Sequence, residues 1–480
     1  MIKNFKWLLL VSLIFMACDN NDDDTVTDVP VSSGSADFSK YVALGDSFAA
    51  GFSDGALFIK GQEGAYPNIL AQQFAAAGGG DFSTPFMADN IGGFLFMGNV
   101  AASTRLYFNG SAPVPVAGPP TTEITTNLTG PFNNMGVPGA KSFHLLTPGY
   151  GTLNPYFGRF ASSTSTTVIA DAVAQAPTFF SLWIGGNDVL SYATSGGVGV
   201  NQTGNFNPAT YGSNDITDPN VFANAFSGLV TNLTAGGAKG VVANLPYVNT
   251  LPYFTTVPYN AVPLDATKAG QLNSGYASYN GGLAMVQGMG LITAEEKARR
   301  TVNFQAGQNA VVIVDSYLTN LTAYGIPSYR QATSEDLLVL PSRSVIGTLV
   351  GGNPAAVNGV SVPLADKWVL SKEEIAEVRV ATDAYNTTIE SIAASNESVA
   401  FVDSKAVMSQ LSAGGIAFGS YTMTSTYVTG GSFSLDGIHP SPRGYALIAN
   451  KFIEAINAEF GSTLRPVESQ NYRILFPASL

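Results

Sequence analysis

YVALGDSFAAG, residues 41–51, decides how the rest of the chain is read. A short apolar run, Tyr41 to Leu44, stops at Gly45-Asp46-Ser47, and the chain then turns rich in alanine and glycine. An apolar run of this length closed by turn-forming residues reads as a buried strand that ends by presenting a serine. Runs of the same character lie at 179–184, 240–245 and 399–402, with helical patterns between them. One pattern begins at Asp218-Pro219 and puts Val221, Phe222, Ala225, Phe226, Leu229 and Leu233 on one face. A second begins at Ser371, with Glu374 as capping-box partner, and sets Ile375, Val378, Tyr385, Ile389 and Ile392 in one stripe. A third, from about Pro442, places Tyr445, Ile448, Ala449, Phe452 and Ile456 at helical spacing. Strands alternating with helices predict an α/β fold whose parallel sheet is covered on both faces. Ligands bind such sheets at the carboxyl ends of the strands, which is where the serine stands.

Two regions, about 53–130 and 255–366, do not fit this alternation. No linker-like composition brackets them, so they are expected to be insertions in one domain spanning 37–480 rather than separate domains. The second is predicted to hold a charged helix near 294–300 and a strand-like run at 310–315.

Of the 480 residues 45% are hydrophobic and only 12% charged, with 51 glycines, a composition that suits a globular, loop-rich chain. The formal net charge of -12 argues against nucleic acid or an anionic surface as partner. At the amino end, lysines precede an apolar run at 7–17 that is shorter than the ~20 residues a bilayer requires. It reads as an export signal. Ile14-Phe15-Met16-Ala17-Cys18 resembles a bacterial lipobox, with residues 1–17 removed and Cys18, the only cysteine, acylated. No disulfide is then expected within the mature chain. The acidic stretch that follows, to about residue 36, is expected to be a flexible tether. Similar acidic runs resemble surface-export signals, so the expectation is a protein anchored at the outer membrane or cell surface of a Gram-negative bacterium. An aspartate directly after the cysteine resembles an inner-membrane retention signal in other lipoproteins and leaves the leaflet open.

A serine hydrolase needs a nucleophile, a base, a group to orient the base, and donors for the oxyanion. The chain has two histidines, which limits the base to His144 or His439. His439 lies in SLDGIHPSPRGY, residues 434–445, with Asp436 just before it in a stretch that Gly437 and Pro440 mark as a loop. One turn then carries both, the carboxylate bonding the ring N–H that faces away from the serine. His144, in GAKSFHLL at 139–146, has no carboxylate near it in sequence.

Four blocks occur in order: Gly45-Asp46-Ser47, NMGVPG at 134–139, Gly185-Gly186-Asn187-Asp188 and Asp436-Gly437-Ile438-His439. Together they resemble the SGNH, or GDSL-type, hydrolase superfamily of esterases and lipases, over the sheet-forming parts of the chain and not the insertions. The resemblance implies a flavodoxin-like three-layer α/β/α sandwich, with Ser47 as nucleophile, His439 as base and Asp436 as its partner. It also implies an oxyanion hole made by the Ser47 N–H, the Gly139 N–H and the Asn187 side chain. Phe48 stands where the family nickname has leucine. A glycine at 139 brings backbone close to substrate without a Cβ in the way, and the Asn187 amide is a donor suited to a developing alkoxide. Asp188 is expected to support the Asn187 loop by hydrogen bonding.

A rival nucleophile is Ser53, in the G-x-S-x-G pattern of Gly51-Phe52-Ser53-Asp54-Gly55. That elbow needs a strand directly before it, and Ser53 follows a small-residue segment whereas Ser47 follows Val42-Ala43-Leu44. The chain has no H-E-x-x-H, no set of cysteines and no P-loop, so neither a metal nor another cofactor is expected. The expected function is an exported, lipid-anchored serine esterase or lipase acting on carboxylic esters of lipid or acylated carbohydrate through an acyl-enzyme. A carbohydrate O-acetyl esterase is the narrower alternative. A non-catalytic lipoprotein that binds glycan or protein is the alternative from another class, with Tyr253, Phe254, Tyr259, Tyr276 and Tyr279 as stacking surfaces. IGGFLFMG, residues 91–98, is read either as part of an acyl pocket or as packing of the first insertion onto the core.

Overall fold

The structure, a computed structural model, describes residues 30–480. The expected export signal, Cys18 and most of the expected tether lie outside the described residues. Five strands form the central sheet: β1 Tyr41–Gly45, β2 Asn134–Gly136, β3 Phe179–Trp183, β4 Lys239–Ala243 and β5 Val399–Val402. Every neighbouring pair is parallel and the spatial order is β2-β1-β3-β4-β5, one of the two common doubly wound orders. Leu44 pairs with Met135 on one side and Leu182 on the other, so the first strand lies inside the sheet. All five of its residues are buried, as a strand covered on both faces requires.

Side chains alternate across the sheet. Tyr41 and Phe179 meet Phe74 of the helix Tyr66–Ala75, while Trp183 meets Phe452 of the helix Pro442–Phe460. Against the other face pack Asn187–Thr194, Pro219–Thr234 and Lys372–Ala394, the last two joined by Phe222 stacking on Tyr385 at 4.2 Å. The molecule is therefore α/β, an all-parallel sheet flanked by helices. The stripe of Pro219–Thr234 is buried as its spacing predicts, and Asp218 caps the helix through the N–H groups of Asn220 and Val221. Each fully buried large apolar side chain of this kind contributes ~1.5–3 kcal/mol. Ser371 and Glu374 form the predicted capping box.

The helix Tyr66–Ala75 lies within the region 53–130 and covers the sheet, a role its sequence context did not announce. Residues beyond it form two short antiparallel pairs, Phe94–Phe96 with Asn99–Ala102 and Leu106–Phe108 with Pro113–Pro115. Phe94 is buried with Leu57, Met87 and Ile124, whereas Phe96 and Met97 are exposed. Residues 255–366 hold the helices Ala266–Gly288 and Ala294–Arg300 and a separate apolar cluster around Val312, Ile313 and Leu338. The strand-like run is Val312–Val314, paired with Tyr329–Gln331. Arg299 ties this part to the sheet-covering helix Lys372–Ala394 by bridging Asp315 at 2.8 Å and Glu373 at 2.9 Å. Among the described residues no helix is long and apolar enough to cross a membrane.

Candidate active site

β1 ends at Gly45, and a four-residue helix, Ser47–Ala50, begins at once. Asp46 is its cap, accepting the Phe48 N–H at 3.0 Å, and Gly51 closes it with φ of +85°. Strand, cap and helix leave Ser47 at the carboxyl end of the sheet. Its Oγ lies 2.8 Å from Nε2 of His439. The other ring nitrogen, Nδ1, lies 2.9 Å from Oδ2 of Asp436.

Both oxygens of Asp436 are engaged. Oδ1 accepts the main-chain N–H groups of Ile438 and His439 at 2.9 and 2.8 Å. Oδ2 accepts a second donor besides the imidazole, the Gly55 N–H at 3.0 Å. Burial pushes this carboxyl up, but the facing His439 and these hydrogen bonds outweigh it and hold it at about 2. With Asp436 ionised, Nδ1 carries the proton and Nε2 is free to accept one from Ser47. Two tilted aromatic rings lie against the imidazole, Phe48 at 5.2 Å and Phe52 at 4.8 Å.

Two further blocks stand beside this trio. Asn187 opens the helix Asn187–Thr194 and donates its Nδ2 to the Ala140 carbonyl at 3.0 Å, which sets the two blocks side by side. Buried Asp188 fixes the same neighbour, since its carboxylate accepts both the Ser142 N–H and the Ser142 hydroxyl at 2.8 Å. The expected support by Asp188 thus acts across the blocks, on the segment that follows Gly139. Burial pushes the Asp188 carboxyl upward, opposed by the Ser142 donors and Lys141. Gly139 has φ of +79° and open space where a Cβ would stand. The left-handed backbone conformation favours glycine there, and the open space beside it leaves the main chain accessible.

His144 is elsewhere. Its Nδ1 accepts the Lys141 N–H at 3.0 Å, its ring stacks on Tyr150 at 4.5 Å, and burial with nearby Lys141 lowers it to about 4. Ser53 is buried and its Oγ donates to the Pro440 carbonyl at 3.2 Å, with no histidine as partner. Phe52 and the Gly55 N–H were not read from the sequence, because a ring and a main-chain donor carry no motif of their own.

Next to the helix Ser47–Ala50 lies an apolar cavity of about 70 Å³. Phe48, Trp183, Leu190, Leu251, Met408 and Leu447 are among its walls. The segment 91–98 is not. Asp46 is the one ionisable group that lines it, and burial pushes its carboxyl up to about 7 against the Phe48 N–H and His439. Among the described residues no cluster of three or more His, Cys, Asp or Glu is placed to hold a metal ion. No family model matches the chain, and no curated protein and no solved structure matches it.

Proposed function

We propose that this chain is a serine ester hydrolase of the SGNH, or GDSL, type that cleaves carboxylic esters through an acyl-enzyme. One observation carries the reading: Asp436, His439 and Ser47 are joined in series by two hydrogen bonds, one at each ring nitrogen. In the proposed reaction Nε2 of His439 takes the Ser47 proton as Oγ attacks the ester carbon. The N–H groups of Ser47 and Gly139 and the amide of Asn187 receive the oxyanion. His439 then returns the proton to the leaving alcohol, activates a water against the acyl-enzyme, and the acid departs.

The cavity beside Phe48 favours an aliphatic acyl group over acetate, because a small acyl group would leave its apolar walls unfilled. A glycan-binding role is less well supported, since Phe254 and Tyr276 are buried and Tyr279 spends its hydroxyl on the Tyr329 carbonyl. Export and anchoring through Cys18 belong to the same proposal. They are tested by the loss of membrane association in Cys18→Ser.

The deciding experiment is hydrolysis of p-nitrophenyl esters from acetate to palmitate by a soluble form starting near Asp37. Ser47→Ala is expected to abolish turnover, and Ser53→Ala to retain it. The reverse pattern would move the nucleophile to Ser53, and a folded protein without activity on any ester would overturn the esterase reading. Best rates on acetate would instead favour the O-acetyl esterase.

A further inference from the structure

The segment that imitates a hydrolase elbow, Gly51 to Gly55, is built as something else. Ser53 and Ala56 exchange both main-chain hydrogen bonds at 3.1 Å, and the two residues between them, Asp54 and Gly55, have φ of +52° and +78°. Asp-Gly with positive φ at both central positions is the signature of a type I′ turn. The turn is laid against the loop that carries Asp436 and His439. The Asp54 N–H donates to Ser434 Oγ at 3.0 Å, and Asp54 Oδ1 accepts the Leu435 N–H at 2.9 Å. The Gly55 N–H reaches Asp436 Oδ2, the oxygen that faces the imidazole. From behind, the Leu106 N–H donates to the Asp54 carbonyl at 2.8 Å, and the Tyr445 hydroxyl donates to the Phe52 carbonyl at 2.8 Å.

We propose that Asp54 is a positioning residue for the reaction: with the Gly55 N–H it clamps residues 434–436 so that Asp436 presents Oδ2 to Nδ1 of His439. The proposal rests on the reading of Ser47, His439 and Asp436 as a hydrolytic triad. A hydrogen bond from a main-chain N–H to each carboxylate oxygen fixes the plane of the Asp436 carboxylate, and the plane fixes which lone pair meets the ring. Without the clamp, residues 434–436 keep the bonds of their own loop, Gly437 N–H to the Ser434 carbonyl, Ser434 N–H to the His439 carbonyl and the Ile438 and His439 N–H groups to Asp436 Oδ1, together with the Tyr427 hydroxyl on the Leu435 carbonyl. Those bonds hold the loop together but not its distance from Ser47. Asp54 is buried, with Oδ2 unpartnered. Burial pushes its carboxyl up to about 7, opposed by the Leu435 N–H and Arg105 and reinforced by Asp436. A neutral amide therefore suits the place.

The test compares Asp54→Ala, which deletes the acceptor for Leu435, with Asp54→Asn, which keeps it. In Asp54→Ala, kcat on a p-nitrophenyl ester is expected to fall about a hundredfold, the scale of a misplaced catalytic group. KM should be unchanged, and Asp54→Asn should restore most of the rate. The far-downfield proton resonance of the His439–Asp436 hydrogen bond should be present in wild type and Asp54→Asn and absent in Asp54→Ala. This signal needs no substrate. A wild type inactive on every ester would sink the esterase reading while the resonance still judges the clamp. Should Asp54→Ala not fold, Ser434→Ala, which removes only the acceptor of the Asp54 N–H, decides by the same two readouts. An unchanged kcat and resonance in the folded variant overturn the proposal, as does an asparagine variant as damaged as the alanine one.

Discussion

Asp436→Asn tests the triad most sharply, because the four donors around the carboxylate dictate how an amide must sit. Placing the new NH2 group at the Oδ1 position sets it against the N–H groups of Ile438 and His439, neither of which is able to turn away. Placing it at Oδ2 sets it against only one fixed donor, the Gly55 N–H, and against an imidazole able to change tautomer. Each stranded buried donor costs ~1–3 kcal/mol, so the second orientation is preferred by about the cost of one donor. Nδ1 then accepts from the amide, the ring proton moves to Nε2, and that proton points at Ser47 Oγ across 2.8 Å. The base is blocked without any displacement of the ring. Wrong-tautomer variants of serine hydrolases lose about 10⁴ in kcat, or ~5.5 kcal/mol at ~1.36 kcal/mol per tenfold. The assay is kcat and KM on a p-nitrophenyl ester, with thermal melting to show that the variant is folded. A folded Asp436→Asn enzyme within tenfold of wild-type kcat would refute the reasoning.

Asn187→Ala removes one proposed oxyanion donor, so kcat is expected to drop ~10²–10³-fold with little change in KM; an unchanged kcat removes Asn187 from the oxyanion hole. Met408→Trp fills the cavity from the wall provided by residues 404–413. The best p-nitrophenyl ester should become shorter by several carbons while the acetate rate holds, and an unshifted profile would place the acyl group elsewhere. The raised carboxyl of Asp46 gives a pH test of stability. From about pH 4 to 7 the folded chain keeps a proton there that the unfolded chain has released, so this group's contribution is full below an unfolded pKa of ~3.9 and is lost as pH rises through 7. Asp46→Asn keeps an N-cap acceptor and should flatten the fall in urea midpoint between pH 5 and pH 8. Equal falls in the two proteins would show that Asp46 does not titrate there.

Four of the five strands are legible in the sequence because strands covered on both faces are continuous apolar runs. β2 is not, since Asn134-Met135-Gly136 holds a single large apolar side chain and owes its pairing to β1 beside it. The helix Tyr66–Ala75 was hidden for another reason. It has proline near its start but no side-chain cap, and the surrounding Gly, Ala and Phe blur its period. The serine, the histidine and the acid were legible because each sits in a short motif with its own local chemistry. The ties that hold them in register were not. Phe52 against the imidazole, Gly55 on the acid and Ser142 on Asp188 are products of tertiary approach, and nothing in their own sequence predicts a partner.

That distinction bears on how the site is built. Ser47 and Asn187 stand directly at the ends of β1 and β3, held by the sheet and its covering helices. The loop of Asp436 and His439 follows no central strand. It lies ahead of the last helix and is held from the sides, by the 53–56 turn and by the Tyr253 N–H, which donates to the Gly437 carbonyl at 2.9 Å. Gly437, with φ of +74°, has no room for a side chain there, since a Cβ would lie 2.9 Å from the Tyr253 nitrogen. The proposed nucleophile, Ser47, is thus fixed by the core and the proposed base, His439, by lateral contacts from segments distant in sequence. Losing one lateral bond removes ~0.5–1.5 kcal/mol of stability, whereas a misplaced base costs about a hundredfold in rate. Damage to these ties should therefore appear in kcat well before it appears in the melting temperature. Damage to the sheet beneath Ser47 should lower both together.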